Sequence, residues 1–327
     1  MSATPNSTAQ ALSLVADEMR MVDTVIQQRL GSDVPLVGQV AQYIVSAGGK
    51  RVRPALLLLM CGALGCRSEH RHEMAAVVEF IHTATLLHDD VVDESTLRRG
   101  RDTANEVFGN AASVLVGDFL YSRAFQMMVD AGNMRIMQVL ADATNIIAEG
   151  EVLQLMNMHD ASLTEADYVR VIRAKTAKLF EASARLAAIL AGADATLEAL
   201  CADYGQALGS AFQVVDDVLD YEGDAAELGK NLGDDLREGK VTLPIICTLR
   251  RCNAQDAALI RHAIEEGNTD RLDDILRIVR ESGGLIDART AAAAEAQRAI
   301  DKAKALPANI YQESLLQLAA ALLERRS

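Results

Sequence analysis

The sequence predicts an all-α fold that forms a single domain over residues 1–327, and three observations support this prediction. Apolar residues recur at the spacing of one helix face along most of the chain. One such run reads Leu12, Val15, Met19, Val22, Ile26 and Leu30. No stretch alternates apolar and polar residues for long enough to indicate a sheet. The 327 residues include five prolines, no low-complexity linker and 50% hydrophobic residues, which favours one large core.

Composition also limits the partners and the compartment. The net charge of -14 argues against nucleic acid and anionic membrane surfaces, because both attract basic proteins. Residues 1–10 lack the features of a signal peptide, and the longest apolar run, residues 55–66, is too short to span a bilayer. The five cysteines form no CxxC pair, which is typical of reduced thiols. We expect a cytoplasmic protein without a nucleic-acid partner or a transmembrane segment, although loose peripheral contact with a membrane is compatible with this.

The N-terminal helical stripe leads to a basic turn. The stripe ends at Gly31, and a second helix is expected from about Leu36 to Val45. Residues 48–54 then read GGKRVRP, where three cations follow two glycines and a proline opens the next helix. Small residues let phosphate oxygens approach the backbone, so this turn favours an anion site in an acidic chain. A solvated surface loop is the alternative.

The next predicted helix ends in a cluster of acidic residues. An apolar run over residues 75–87 leads into Asp89 and Asp93, which are four apart and therefore project from one helix face. His82, two turns earlier, lies on nearly the same line. Two carboxylates on one face repel each other, and a divalent cation relieves that repulsion. The alternative is a solvated acidic helix end.

A compact basic element and two long helices follow. Arg98-Arg99-Gly100 lies close after Asp89, and arginine pairs beside carboxylates favour joint binding of an anion and a metal. Internal salt bridges are the alternative. Helices rich in methionine are expected over residues 111–130 and 134–158. Such helices usually belong to a core, but they also suit the wall of a cavity for a flexible apolar chain.

The acidic pattern occurs a second time. Thr164 is the predicted N-cap of a helix that carries Lys175-Thr176 midway. The following helix closes with FQVVDDVLDY at residues 212–221, which places Asp216 and Asp220 on one face. Two such clusters, each at the end of an apolar helix, predict a metal site between two facing helices.

The C-terminal third completes a helical bundle. Residues 229–240 mix glycine, lysine and aspartate without periodicity, which predicts an ordered loop over the site. Further helices are expected to begin near Leu243, Asp256, Asp270, Leu285 and Ala308. The whole chain should therefore form a bundle of roughly ten to thirteen helices.

These parts indicate one kind of chemistry. Mg²⁺ prefers a few carboxylates, with water and substrate phosphates completing its shell. Cationic elements beside an apolar interior indicate a ligand that joins a diphosphate to a hydrocarbon. Without a candidate nucleophile triad, the consistent reaction is departure of diphosphate, whose developing charge the metal and the cations stabilise.

Five motifs together resemble the ordered motif set of the trans-type polyprenyl diphosphate synthases. They are GGKRVRP (48–54), LLHDDVVDESTLRRG (86–100), KT (175–176), FQVVDDVLDY (212–221) and GKNLGDD (229–235). The resemblance implies an isoprenoid synthase bundle with a central cavity between the two aspartate-bearing helices, Mg²⁺ as cofactor, and a homodimer. Two stretches, EFIHTATLLHDDVVDE and NAASVLVGDFLYSRAFQMM, resemble the bacterial members that make the octaprenyl side chain of ubiquinone.

The resemblance implies the reaction and the role of each site residue. An allylic diphosphate such as farnesyl diphosphate would ionise, isopentenyl diphosphate would attack the cation, and loss of a proton would give an all-trans chain. The implied Mg²⁺ ligands are Asp89, Asp93 and Asp216, joined by Asp217 and Asp220. The implied allylic diphosphate ligands are Arg98, Lys175 and Lys240. The implied isopentenyl diphosphate ligands are Lys50, Arg53, His82 and Arg99. Thr176 and Gln213 would lie near the carbocation, and Lys230 near the leaving group.

Product length is expected to depend on Ala84 and Thr85. Ala84 stands five residues before Asp89, roughly 7.5 Å away at a rise of about 1.5 Å per residue. The resemblance implies that bulky aromatics near this position close the tunnel in short-chain members, so Ala84 and Thr85 predict an open tunnel. Alternatively, Ala84 serves close helix packing.

Other functions stay open at this point. A class I terpene cyclase shares the first aspartate motif, but its second motif typically carries asparagine, serine and glutamate. A di-iron bundle needs two ExxH pairs, and the sequence has only Glu79-Phe-Ile-His82. A non-catalytic subunit would be expected to lack an aspartate motif. A synthase of solanesyl or shorter products is the remaining alternative.

Overall fold

The computed structural model describes residues 7–46, 48–98, 100–222 and 232–324 and confirms the all-α prediction. The first helices are α1 (Ser7–Ser13), α2 (Ala16–Arg29), α3 (Pro35–Ser46), α4 (Val52–Ala63), α5 (Arg71–Val92), α6 (Ala104–Phe108), α7 (Asn110–Asp130) and α8 (Met134–Met156). The later ones are α9 (Glu165–Ile172), α10 (Lys178–Leu190), α11 (Ala195–Glu222), α12 (Asp234–Arg237), α13 (Leu243–Arg251), α14 (Ala254–Glu266), α15 (Leu272–Glu281), α16 (Gly284–Lys304) and α17 (Ile310–Ala321). Within these ranges the only strands are two-residue segments, Leu97–Arg98 antiparallel to Arg101–Asp102.

Two predicted segments differ from the structure. The N-terminal stripe forms two helices because the chain turns at Val15, whose N–H donates to the Leu12 carbonyl at 3.2 Å. The predicted loop over residues 229–240 contains the short helix α12 in its described part. These short helices raise the helix number above the expected range. The other helix boundaries named from the sequence lie close to those observed.

Thr164 begins α9 as predicted. Its hydroxyl accepts a hydrogen bond from the Asp167 N–H at 3.2 Å, and the Asp167 carboxylate accepts one from the Thr164 N–H. These bonds satisfy N–H groups that lack partners in a first helical turn. After Ile172 the chain makes a π-helical turn, Arg173–Ala177, so Lys175-Thr176 occupies a widened turn. Such turns are frequent at functional sites.

The buried side chains form two hydrophobic clusters that share α11 and α16. The first cluster contains residues of α1 to α8, α10 and α17, together with the N-terminal part of α11. The second contains residues of α9 and of α12 to α15, together with the C-terminal part of α11. Because α11 and α16 also pack against each other, they connect the two clusters. That the chain folds as one domain stays a prediction.

Two glycines position the π-helical turn between α8 and α11. A Cβ at Gly150 of α8 would lie 2.8 Å from the Ala174 Cβ and 2.9 Å from the Lys175 nitrogen. A Cβ at Gly209 of α11 would lie 2.7 Å from the Ala177 Cα. Only glycine permits so close an approach at both places. Lys175 is thereby carried to the C-terminal end of α5.

None of the helices in the described ranges is both long and apolar enough to cross a membrane.

Candidate active site

The first aspartate cluster lies at the C-terminal end of α5 and is largely buried. The side chains of Asp89 and Asp93 are 17% and 12% exposed. Asp90, between them, is fully buried and accepts hydrogen bonds from Arg98 Nε and Nη2 at 2.9 and 2.6 Å. Burial raises the pKa of Asp90, although Arg98 opposes the shift. Arg98 is therefore engaged in the internal salt bridge that the sequence left open, and its role toward a substrate stays a prediction.

Lys175 links the π-helical turn to the first cluster. Its Nζ lies 3.5 Å from Asp89 Oδ2 and 2.6 Å from Glu151 Oε2 on α8. Burial, followed by the charge of Asp89, raises the pKa of Glu151 to about 7 despite the neighbouring ammonium. The sequence alone does not single out Glu151 as a site residue, because it is one of several acidic residues on a methionine-rich helix.

Lys240 makes the corresponding contacts with Asp93 and with a second glutamate, Glu238. Its Nζ lies 2.7 Å from Asp93 Oδ2 and 2.7 Å from Glu238 Oε2. Burial disfavours the charge of Lys240, but Asp93 and Glu238 outweigh burial and raise its pKa. The predicted allylic ligands Lys175 and Lys240 thus meet at the first aspartate cluster, although they stand 65 positions apart along the chain.

In the second cluster, Asp217 is held by hydrogen bonds from within the protein. Asp217 is buried and accepts from the Tyr168 hydroxyl at 2.5 Å and from Gln213 Nε2 at 2.7 Å. Thr176 Oγ1 donates to Gln213 Oε1 at 2.8 Å. Burial and then Asp235 raise the pKa of Asp217. This chain of bonds fixes the orientation of the Gln213 amide, because its oxygen and its nitrogen each have one defined partner.

The other two aspartates of this cluster differ in burial. Asp216 is partly exposed, whereas Asp220 is fully buried. Asp220 Oδ2 accepts a hydrogen bond from the Asp235 N–H at 3.3 Å, and its backbone carbonyl accepts one from Gly233. The cluster therefore ties α11 to the segment that contains α12.

The basic turn brings Arg53 and His82 together as expected. Arg53 Nη1 lies 3.0 Å from His82 Nε2, and its guanidinium stands 4.6 Å above the Phe180 ring. Arg51 forms an ion pair with Asp23 and lies near Glu79, and Lys50 is exposed. Glu79 and His82 thus lie beside arginine side chains, and this positive charge does not suit a di-iron site. Arg99 and Lys230, also predicted as ligands, lie outside the described residues.

A cavity of about 660 Å³ extends from the first cluster between α5, α7 and α8. Its lining includes Asp89 and Asp93 and, further along, Thr85, Tyr121 and Phe125. A smaller cavity of about 130 Å³ adjoins it and is lined by Thr176, Gln213, Lys175, Lys240 and Asp217, among others. The two cavities share Gln154 and Met158.

The two residues predicted to set product length occupy different environments. Thr85 lines the large cavity, and its hydroxyl donates to the His82 carbonyl at 2.8 Å. Ala84 is fully buried in the first hydrophobic cluster and is not part of the cavity lining. Consecutive residues of a helix point about 100° apart, and here Ala84 lies in the packed core while Thr85 reaches the cavity. The influence of either residue on product length stays a prediction.

The carboxylate oxygens at the site suit a hard divalent cation that a bound substrate would also coordinate. Across the described part of the chain, no three Asp, Glu, His or Cys side chains converge closely enough to hold an ion by themselves. The aspartates nevertheless offer carboxylate oxygens, which Mg²⁺ accepts together with phosphate oxygens and water. Asp89 and Asp93 already lie beside ammonium groups, so their oxygens are placed where positive charge is bound.

Comparison with known proteins agrees with this geometry. Residues 34–281 match the polyprenyl synthetase family. The octaprenyl diphosphate synthase of Haemophilus influenzae is 51% identical over 313 residues, which cover 95% of each chain. The all-trans-nonaprenyl-diphosphate synthase (geranyl-diphosphate specific) of Rhodobacter capsulatus is 44% identical, covering 96% of this chain and 97% of the other.

The fold agrees as well. A polyprenyl synthase from Caulobacter crescentus, solved in complex with calcium and isoprenyl diphosphate, superposes with a TM-score of 0.95 at 42% identity over the whole of both chains. Sequence, fold and site therefore lead to one conclusion: this chain belongs to the polyprenyl synthetase family and is a trans-prenyltransferase with the all-α isoprenoid synthase fold.

Proposed function

We propose that this enzyme adds isopentenyl diphosphate units to an allylic diphosphate, farnesyl diphosphate, and makes all-trans octaprenyl diphosphate for the side chain of ubiquinone. The observation that carries the proposal is the position of the first aspartate cluster at the edge of the 660 Å³ cavity. A diphosphate bound at Asp89 and Asp93 would direct its hydrocarbon chain into that cavity. The similarity to octaprenyl diphosphate synthases supports the product length.

Mg²⁺ is the proposed cofactor. Asp89, Asp93 and Asp216 would hold it, and Asp220 and Asp217 would complete or orient this set. When bound, the metal would stabilise the charge of the departing diphosphate. The Caulobacter enzyme, whose structure contains calcium and isoprenyl diphosphate, supports a divalent cation and a prenyl diphosphate in this fold.

Side chains of the protein would bind the diphosphate and stabilise the carbocation. Lys175 and Lys240 would bind the allylic diphosphate as its charge develops, together with Arg98 and Lys230. The amide oxygen of Gln213 and the hydroxyl of Thr176, fixed by their mutual bond, would face the carbocation in the smaller cavity. Thr176 is buried and Gln213 half-buried, and this burial would limit the access of water to the reactive cation.

The second substrate would bind at the basic turn. Arg53 and His82 meet there at 3.0 Å, and the guanidinium is held above Phe180. Lys50 and Arg99 would add further positive charge. These residues would hold the diphosphate of isopentenyl diphosphate while its double bond attacks.

A homodimer is part of the proposal. Leu115 and Val129 of α7 and Val152 and Met156 of α8 are all more than half exposed. Val152 also lines the cavity, so a second copy on this face would cover an apolar wall of the product site. A molar mass near twice 35.2 kDa in light scattering would support this assembly. A monomer would contradict it.

The decisive experiment is a product assay with farnesyl diphosphate, isopentenyl diphosphate and Mg²⁺, followed by mass spectrometry of the products. Octaprenyl diphosphate is the expected major product. A nonaprenyl product, as made by the similar Rhodobacter capsulatus enzyme, would revise only the length. Cyclic hydrocarbons without chain extension would overturn the proposal in favour of a terpene cyclase.

A further inference from the structure

The same arrangement of one ammonium group and two carboxyl groups occurs twice at the first aspartate cluster. In each case a lysine ammonium lies between one aspartate of the cluster and one glutamate from another part of the chain. The glutamates are Glu151 on α8 and Glu238, which directly follows α12. Neither belongs to the five motifs. Both are partly buried, with side chains 29% and 24% exposed, so their charges are only partly screened by water.

We propose that Glu151 and Glu238 are positioning residues that compete with the aspartates for the ammonium groups of Lys175 and Lys240. The aspartates then remain able to take a divalent cation, and the ammonium groups remain able to turn to the diphosphate. This inference rests on the proposed function and deepens it.

The distances show how the glutamate competes. Lys175 lies 2.6 Å from Glu151 but 3.5 Å from Asp89, so the glutamate is its nearer partner. An ammonium group has three N–H donors. When it loses one of two anionic partners, it can hydrogen-bond more fully to the partner that remains. Without Glu151, Lys175 would move onto Asp89 and occupy oxygens that a cation needs. The cation would then have to displace an ion pair, which weakens its binding.

Glu238 and Asp93 compete for Lys240 in the same way, but from equal distances. Its ammonium lies at equal distances, 2.7 Å, from Glu238 and Asp93. Removing the charge of Glu238 would leave the ammonium to Asp93 alone. The two glutamates should therefore affect one property, the concentration of Mg²⁺ that the site requires, through two different lysines.

The test compares Glu151→Gln and Glu238→Gln with the wild-type enzyme. Binding of farnesyl thiodiphosphate, whose bridging sulfur prevents ionisation, is measured by calorimetry over a series of Mg²⁺ concentrations. Each variant should need roughly tenfold more Mg²⁺ for half-maximal binding, as expected for loss of one charge-assisted contact. In the product assay, the loss should appear in the requirement for Mg²⁺ and allylic substrate more than in kcat at saturation. Each Glu→Asp variant should recover part of the loss.

Glu149→Gln is the matched control, because Glu149 is exposed on the same helix and its carboxylate accepts a hydrogen bond from Asn145. It should bind the analogue as the wild type does. In a Lys175→Met background, Glu151→Gln should add nothing if the glutamate acts through the lysine. An unchanged Mg²⁺ requirement, or an equal effect in both backgrounds, would overturn the inference. A wild-type enzyme that fails to extend farnesyl diphosphate would instead contradict the proposed function.

Discussion

At the scale of single residues, identical aspartates occupy very different surroundings. Asp89 has an ammonium beside it, whereas Asp217 is buried and accepts two hydrogen bonds from neutral donors. Burial favours the protonated form of a carboxyl group and raises the pKa of Asp217. The surroundings therefore separate a group suited to binding cations from one suited to orienting Gln213.

Asp89→Ala should abolish chain extension without unfolding the protein. The substitution removes a proposed cation ligand and one of several neighbouring negative charges. Turnover should fall at least roughly 10²-fold with Mg²⁺ as the metal, and the melting temperature should stay close to that of the wild type. Asp142→Ala, at an exposed position of α8, is the control and should retain activity. Turnover near the wild-type rate for Asp89→Ala would refute the assigned metal site.

Tyr168→Phe should lower both stability and turnover. The change removes the hydroxyl that donates to Asp217 at 2.5 Å and so loosens the chain of bonds that orients Gln213. Leaving a buried acceptor with one partner fewer costs about 1 to 3 kcal/mol. We expect a loss of that size in urea unfolding, with kcat reduced roughly tenfold.

Tyr204→Phe provides the matched control for this prediction. Its hydroxyl is also buried, but it donates to the Leu315 carbonyl, far from the site in the first hydrophobic cluster. The control should lose comparable stability and keep kcat. Equal kcat values for both variants would show that Tyr168 has only a structural role.

At the scale of elements, the position of the π-helical turn depends on close helix packing. The turn lies against α8 at Gly150 and against α11 at Gly209, and it delivers Lys175 to Asp89 and Thr176 to Gln213. Interiors are close-packed, so a single added methyl group at these contacts must move the backbone. The geometry of the candidate site is therefore coupled to helix packing outside the five motifs.

Gly150→Ala should destabilise the protein although alanine favours helices. The higher helix propensity of alanine is worth about 1 kcal/mol, whereas overpacking typically costs about 1 to 3 kcal/mol. The displaced turn would also shift Lys175, so the KM for the allylic substrate should rise.

Gly38→Ala in α3 is the control, because, apart from the backbone of its own helix and its chain neighbours, no atom of the described residues lies within 4 Å of the added Cβ. This variant should gain up to about 1 kcal/mol in unfolding experiments and keep its KM. If Gly150→Ala were equally stabilising, the tight contact at the π-helical turn would be disproved.

At the scale of the whole molecule, the 660 Å³ cavity is built by three helices that are separate in sequence. α5 contributes the aspartates and Thr85, α7 contributes Tyr121 and Phe125, and α8 contributes the far wall. The size of this cavity therefore depends on how these helices pack and not on any one of them.

Thr85→Phe should shorten the product, because the ring would extend into the cavity close to the diphosphate. We expect a folded enzyme that stops after fewer additions, as measured by mass spectrometry of the products. Ala84→Phe is the comparison: its ring would enter the packed core, so we expect a loss of stability of about 1 to 3 kcal/mol. Octaprenyl products from a stable Thr85→Phe enzyme would disprove this assignment of the cavity.

The sequence by itself determined the helices, the N-cap at Thr164 and the two aspartate clusters, because these depend on spacing within a few residues. Periodicity along one helix also placed Asp89 and Asp93 on a common face. Only the tertiary structure decided which polar groups from distant parts of the chain meet: Lys175 with Glu151, Lys240 with Asp93, and Tyr168 with Asp217. It likewise decided that Thr85 and not Ala84 lines the cavity. Such pairings join distant parts of the chain, and their geometry follows from how helices pack, which local spacing does not encode.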